Sequence, residues 1–349
     1  MDKTDAVMLV VVLARFGLPF LIPRFPLPAI LACLVLDAAD QTIFQLFTDA
    51  PLTGYQSYDK ALDIFYLAVA FISTFRNWTL PLALVVAQFL YFYRLLGVVL
   101  FETLEYRWLL LVFPNTFEYF FIAIEAVRTR WSLQRMSTKA IYGTAAFIWI
   151  VIKLPQEYWI HIAKMDVTDT LRDHPWTWGV LVGLVALGLG ILVFLWKVAP
   201  TPDTRFALDV RKQFGGVSSR PGVRLLERSE VIEKIFLIGM IAVIFGHVLP
   251  DVRASGWGIF GVVAIFVVLN AVVSFAWRFR EADLVGVAAQ LIFTLALNLG
   301  IVGVYFLVTP TRDERAPVTN TLFYLVLLSV LIALYDYYRR FRHPMRAGN

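Results

Sequence analysis

Cysteine and charged residues are both scarce in this chain of 349 residues. It holds a single cysteine, Cys33, so no disulfide can form within the chain and no cysteine-based zinc site can be built. Charged residues make up 16% of the sequence, against about 25% in a typical soluble domain. Hydrophobic residues reach 59%, and the mean hydropathy is +0.71. This balance excludes an ordinary soluble domain and is typical of a helical membrane protein.

Short catalytic and nucleotide-binding motifs are absent as well. The sequence contains no Walker or dinucleotide-binding glycine spacing, no HExxH and no GxSxG. Their absence argues against phosphate-binding loops, zinc proteases and hydrolases of the nucleophile-elbow type. Glu157 and His161 are four residues apart, but two potential ligands without a second histidine do not make a zinc site.

Apolar runs, in contrast, recur along the whole chain. Each is roughly 20 residues long, which an α-helix needs to cross a hydrocarbon core ~30 Å thick. We therefore predict an all-α, polytopic transmembrane bundle of about 11 spans, within a range of about 10–12. The predicted spans are 5–22, 27–47, 58–75, 79–101, 107–127, 139–161, 177–196, 231–249, 257–276, 285–308 and 319–338. No small-x-small cleavage site follows the first span, so we expect it to be a retained helix.

Lysine and arginine are divided unevenly between the two sets of alternate loops. One set carries twenty of them and the other carries eight. The richer side is expected to be cytoplasmic, with the N-terminus outside and the C-terminus inside a cell membrane. The basic loop 199–230 and the C-terminal tail then face the cytoplasm. There we expect them to contact anionic lipid headgroups and no nucleic acid.

The same long loop divides the chain into regions. We predict a six-span N-terminal bundle over 1–165 and a seventh span with its preceding outer loop over 166–198. The cytosolic linker 199–230 follows, and then a C-terminal apolar bundle with a basic tail over 231–349.

Two pairs of aspartates lie inside or at the edge of the second and third predicted spans. Asp37 and Asp40 are three residues apart, and Asp59 and Asp63 are four apart. Each pair therefore shares one face of its helix. A carboxylate in hydrocarbon is costly, so an intramembrane acid indicates a functional site.

Further charged residues lie at a similar predicted depth on the next three spans. Arg94, Glu118 and the series Lys153, Glu157 and His161 all fall toward the outer side of the membrane. Arg94 is a candidate partner for an aspartate, and Lys153 for Glu157 four residues away. Such ion pairs can fix helix register without any chemistry. Carboxylates still outnumber cations, and a surplus of acid in a low dielectric either retains protons or recruits a cation.

We therefore predict an ion- or substrate-binding site within residues 1–165 and little to match it in the C-terminal spans. The candidate residues are Asp37, Asp40, Gln41, Asp59, Asp63, Arg94, Glu118, Lys153, Glu157 and His161. The four aspartates are also the candidate ligands of a divalent cation such as Mg²⁺, which prefers carboxylate oxygens.

The spacing Asp37-x2-Asp40 followed by Asp59-x3-Asp63 resembles the four-aspartate pattern of the CDP-alcohol phosphatidyltransferases. In that family, two aspartates on the second helix and two on the third bind divalent metal and the CDP-alcohol, and one aspartate acts as the base. Gly54 falls near the family's glycine. The resemblance implies a metal-dependent transferase with its site on these two helices.

This chain departs from the family pattern at several positions. Gln41 stands where the family has glycine, and Phe44-Gln45 stand where alanine and arginine are expected. The interval between Gly54 and Asp59 is one residue longer than in the family. The predicted orientation also puts the acids outside, whereas CDP-linked substrates are cytosolic. The pattern therefore remains an alternative interpretation.

Three functional hypotheses follow. The first is a transporter or permease-like protein whose acidic intramembrane cavity handles a cation or protons. The second is a membrane-embedded, metal-dependent enzyme acting on a lipid or polyprenyl phosphate. The third is a non-catalytic partner or assembly subunit in which the buried charges set helix register.

Overall fold

A computed structural model describes residues 3–47, 55–163, 228–248, 284–308 and 318–341, together with parts of 174–210 and 268–272. All regular structure in these ranges is helical, which confirms the all-α prediction. The helices are α1 (Lys3–Gly17), α2 (Pro26–Phe47), α3 (Tyr55–Asn77), α4 (Pro81–Leu104), α5 (Trp108–Val112), α6 (Thr116–Arg128), α7 (Thr138–Phe147), α8 (Leu154–Glu157), α9 (Arg228–Val248), α10 (Leu284–Val308) and α11 (Val318–Tyr338). Shorter 3₁₀ turns lie at Leu18–Leu21, Leu133–Arg135 and Arg339–Phe341.

Within the described residues, three helical segments are long and apolar enough to cross a membrane. They are α4, the segment Trp108–Arg128 that contains α5 and α6, and residues Thr321–Tyr338 of α11. These segments indicate that the protein associates with a membrane. The predicted spans 177–196 and 257–276 lie largely outside the described residues, as do most of the linker 199–230 and the tail after residue 341.

Helix α3 lies at the centre of the bundle. From Ala61 to Phe75 nearly every side chain is buried, and Phe65 and Phe71 are fully enclosed. The helix contacts α1, α2, α4, α9 and α11. An apolar helix surrounded in this way presents each of its faces to a different neighbour. Its first turns, which carry Asp59 and Asp63, are therefore held against other helices.

Two prolines interrupt the helices that follow α4. Pro114 separates α5 from α6, as its missing N–H and its ring predict. Pro155 lies in α8, between two π-helical segments, Ile148–Lys153 and Tyr158–Ile162. The amide of Leu154 donates to the carbonyl of Trp149, five residues back. The wider π turns keep this stretch helical around the proline, and such turns are frequent at functional sites.

Part of the segment 199–210 packs against the connections between helices. The amide of Val210 donates to the carbonyl of Arg24 at 3.1 Å, and that of Ala207 donates to Thr129 at 3.2 Å. The Asp203 carboxylate forms an ion pair with Arg135. Backbone hydrogen bonds and this ion pair therefore anchor the start of the long loop to the side of the bundle where α2 begins and α6 ends.

Gly97 permits the close approach of α4 to the turn after α5. A Cβ atom at this position would lie 2.1 Å from Cβ of Phe113, far inside van der Waals contact. Gly143 of α7 is also helical, but a Cβ there would meet nothing within 4 Å. The two glycines thus form a matched pair for testing the packing.

We expect Gly97→Ala to lower the free energy of unfolding by about 1–3 kcal/mol, because Phe113 and its turn must move. Gly143→Ala should instead raise it by about 0.5–1 kcal/mol, since alanine is the better helix former and has room. Denaturant titration in detergent micelles measures both changes. Equal effects of the two substitutions would contradict the packing at Gly97.

Candidate functional site

The four predicted aspartates converge on one guanidinium group, that of Arg15 on α1. Its Nη1 donates to Asp40 and Asp59, and its Nη2 donates to Asp63 and, at 2.5 Å, to Asp37. The Arg15 side chain is 3% exposed. One permanently charged cation is therefore shared by four carboxylates, which we call the aspartate cluster.

Local sequence explains why these residues meet. Asp37 and Asp40 share a face of α2 because they are three residues apart, and Asp59 and Asp63 share a face of α3 because they are four apart. Helices α1, α2 and α3 contact one another. Phe16, next to Arg15, stacks on Phe65 of α3 with ring centroids 5.3 Å apart. This aromatic contact holds α1 against α3 beside the cluster.

Three of the carboxylates also lie close to one another. Asp37, Asp59 and Asp63 each offer an oxygen within 4.8 Å of the others. Carboxylates this close cannot all be ionised around one guanidinium without strong repulsion. The arrangement suits either a retained proton or an added cation.

The donor set of the cluster also fits a divalent metal. Carboxylate oxygens are the ligands that Mg²⁺ prefers, and two or three of them make a normal protein contribution to its shell. Arg15 contacts one oxygen each of Asp37, Asp59 and Asp63. A metal would therefore use the second oxygens or compete with the guanidinium.

A cavity of about 610 Å³ opens beside the aspartate cluster. Asp37 and Asp63 lie on one of its walls, and residues of α4, α6 and the segment around Pro155 line the others. The ionisable acids and bases that line it are Asp37, Lys60, Asp63, Arg94, Glu102, Arg107, Glu118, Lys153, Glu157 and His161. Asp40 is buried at 3% exposure, and the side chain of Gln41 lies outside the described residues.

The glutamates on the cavity wall are held by hydrogen-bond donors. Glu118 accepts from the Tyr66 hydroxyl at 2.7 Å and from the Asn115 side chain at 3.0 Å. Glu157 accepts a hydrogen bond from the backbone N–H of Asn115 at 3.2 Å, and its carboxylate lies 3.0 Å from His161 Nε2. These contacts fix both carboxylates in place, so the wall is preorganised.

Glu102 is held by a cation instead. Its carboxylate lies 3.0 Å from Lys60 Nζ near the end of the cavity where α3 begins. The Lys60 ammonium also sits 5.7 Å from the centre of the Phe101 ring.

Two cations on the wall, Lys153 and Arg94, form no ion pair within 4.0 Å among the described residues, although Glu118 and Glu157 attract both. Lys153 is 3% exposed, and its Nζ lies 3.9 Å above the Tyr119 ring without a carboxylate within 4.0 Å. Arg94 donates to the carbonyl of Phe113 at 3.0 Å. Lys153 ends the π-helical segment Ile148–Lys153, and its side chain turns to the Tyr119 ring.

The expected roles of Arg94 and Lys153 were therefore wrong. Arg94 does not neutralise an aspartate, because Arg15 does so from α1 and Arg94 is turned toward the break at Pro114. Lys153 forms no ion pair within 4.0 Å with Glu157, whose close partner is His161, although the two charges still attract each other. Sequence reasoning left Arg15 out of the site, although a lone arginine in an apolar helix is a sufficient signal.

A second buried polar network lies in the C-terminal half, where the sequence suggested little. Lys234 of α9 donates to both oxygens of Asp336 on α11, at 2.9 and 2.8 Å. Gln290 of α10 donates to the same carboxylate at 2.6 Å, and Asn298 donates to Ser329 at 2.8 Å. The charges here are paired with each other, which fits a role in fixing the register of three helices.

No protein-family model, curated protein or solved structure matches this chain.

The balance of charge in the aspartate cluster yields a prediction for Arg15. We expect Arg15→Met to cost about 3–5 kcal/mol of stability near neutral pH, since it leaves four carboxylates without their cation. The loss should shrink toward about pH 4.5, because protonation relieves the repulsion among the acids. Unfolding in detergent at both pH values measures the effect.

Arg107→Met is the control, because Arg107 is exposed. It should change stability little at either pH. A loss for Arg15→Met that is equal at both pH values would contradict repulsion among the carboxylates as its cause.

Proposed function

We propose that this protein is a membrane transporter in which the aspartate cluster takes up and releases protons or a small cation. The observation that supports this is one buried guanidinium shared by four carboxylates, two of which face a cavity of about 610 Å³. A structural ion pair needs one acid for one base. Four acids leave an excess of negative charge that a bound proton or cation would balance.

We further propose that the protein spans a cell membrane several times, with about 11 spans, its N-terminus outside and its C-terminus in the cytoplasm. The unequal division of lysine and arginine between alternate loops supports this orientation. Anionic lipid headgroups beside loop 199–230 and the C-terminal tail would be its membrane partners.

Arg15 gives the cluster a way to couple ion uptake to movement. When a proton neutralises Asp63 or Asp59, that carboxyl holds the guanidinium less strongly, since the charge-assisted contact is lost. Arg15 lies on α1, whereas the acids lie on α2 and α3. A change in these contacts therefore alters the attraction between α1 and its neighbours, which would provide a physical basis for alternating access.

Proton flux tests the proposal directly. Proteoliposomes with a pH-sensitive dye inside should show flux that Asp63→Asn lowers by at least about tenfold, because the amide cannot exchange the proton. Asp40→Asn should act in the same direction. Glu105→Gln is the matched control, since Glu105 is an exposed carboxylate at the end of α4.

Flux of the Asp63→Asn protein equal to that of the unaltered protein would contradict proton transport through the cluster. Flux of Na⁺ or K⁺ in place of protons, lost in the same variants, would assign the cluster to a metal cation.

A second candidate function is a metal-dependent enzyme acting on a lipid or polyprenyl phosphate. The observation that favours it is the group of oxygens from Asp37, Asp59 and Asp63 within 4.8 Å of one another. When bound there, a divalent cation would polarise a phosphoryl oxygen of the substrate. The three aspartates would hold it, and Asp40 would keep Arg15 in place.

Metal analysis separates this candidate from transport. An enzyme of this kind should retain about one Mg²⁺ or Mn²⁺ per chain after dialysis, and Asp37→Ala should remove it because a ligand is lost. Glu105→Gln should leave the metal content unchanged. Protein free of metal after equilibration with millimolar Mg²⁺ would count against the enzyme.

A further inference from the structure

Lys153 is a buried cation with no carboxylate within 4.0 Å among the described residues, although Glu118 and Glu157 attract it from farther away. Its side chain lies on the cavity wall at 3% exposure, and its Nζ contacts the face of Tyr119 at 3.9 Å. A buried charge is ordinarily paired, because removing it from water costs several kcal/mol. The contact with one aromatic ring, worth about 0.5–2 kcal/mol, offsets only part of that cost.

Arg94 brings a second cation to the same wall. Its one hydrogen bond among the described residues is donated to the Phe113 carbonyl, which leaves most of its five N–H donors for another partner. Arg107 also lines the cavity and is exposed. Together with Lys60, which is paired with Glu102, four basic side chains thus line one space.

Each carboxylate on the cavity wall contacts a cation or a hydrogen-bond donor of the protein. Asp37 and Asp63 contact Arg15, and Glu102 contacts Lys60. Glu118 and Glu157 accept the hydrogen bonds described above. Glu118 and Glu157 attract Lys153 and Arg94 across the cavity without forming an ion pair with either. Both cations therefore keep N–H donors that a ligand in the cavity could use.

We propose that the cavity binds a phosphate group of a small amphipathic molecule, held by Lys153 and Arg94. A phosphate monoester carries a charge of about −1.5 to −2 at neutral pH, which matches two or three cations better than a single carboxylate does. The walls beside the cations are apolar, through Leu67, Leu95 and Val98. A volume of about 610 Å³ is in the range of small-molecule sites.

This site deepens the proposed transport function. The role of the phosphate compound as a cargo that moves with protons rests on that function, whereas its binding to the cavity does not. The same phosphate chemistry has two sources, a lipid headgroup and a soluble phosphate. Binding experiments on the whole, delipidated protein in detergent distinguish them. The two probes are inorganic phosphate and dihexanoyl phosphatidate, and dihexanoylglycerol is the uncharged control.

We expect calorimetry to detect binding of at least one of the two phosphate probes and none of the uncharged lipid. Lys153→Met should weaken that binding at least about tenfold, because a charge-assisted contact is lost. Lys153→Arg should retain it to within about threefold, since the charge remains. Lys139→Met is the matched control on α7, where the lysine is exposed, and should leave binding unchanged.

The results of these binding experiments distinguish the two sources of the phosphate group and test the site itself. Binding of phosphate alone assigns a soluble cargo, and binding of phosphatidate alone assigns a lipid headgroup. Failure of both probes to bind, or equal binding to the Lys153→Met protein, would overturn the site. Arg94→Gln provides the same test if the Lys153 variant does not fold.

Binding is measured without a pH gradient, so its result is independent of proton flux. Phosphate binding without flux would keep the site and remove the transport proposal. Flux without phosphate binding would keep the transport proposal and remove the phosphate site.

Discussion

The burial of the Arg15 guanidinium is the constraint on which the N-terminal half depends. Arginine stays charged in proteins, so its removal from water must be offset by acids that reach it from neighbouring helices. Asp37 and Asp40 on α2 and Asp59 and Asp63 on α3 meet this need. The three helices are thereby fixed in rotation and depth relative to each other, while the excess of acid remains available for protons or a cation.

Two groups of charged residues line the cavity. On one wall, Asp37 and Asp63 are tied to Arg15, and on others Lys153 and Arg94 lie near Glu118 and Glu157 without an ion pair within 4.0 Å among the described residues. Interruptions in the helices produce this second group. The break at Pro114 supplies the Phe113 carbonyl to Arg94, and the π-helical turn before Pro155 ends at Lys153. Irregular backbone beside a cavity is a recurring way to build sites within membrane bundles.

Hydrophobic run length was sufficient to predict the helices, since apolar blocks of about 20 residues and their prolines mark where helices begin and break. The predicted depth of each charged residue within its span also indicated which charged residues lie in one region. Lateral position was not predictable, because one sequence does not say which helix neighbours which. Arg94 was the candidate partner for an aspartate, and only the packing of α1 against α2 and α3 shows that Arg15 takes this place. The Lys234–Asp336 pair was missed for the same reason, since each residue is isolated on its own helix.

The two charge systems make a physical case for coupling between them. An anion held by Lys153 and Arg94 would lie in the same cavity as Asp37 and Asp63, so its charge opposes their ionisation. Proton uptake by the aspartates would then favour anion binding, and anion binding would favour proton uptake to the same degree, because coupling free energies are reciprocal. A low dielectric around the cavity would strengthen this effect. Arg15 would add a mechanical consequence, since each proton gained by the aspartates would weaken a contact between α1 and α2 or α3.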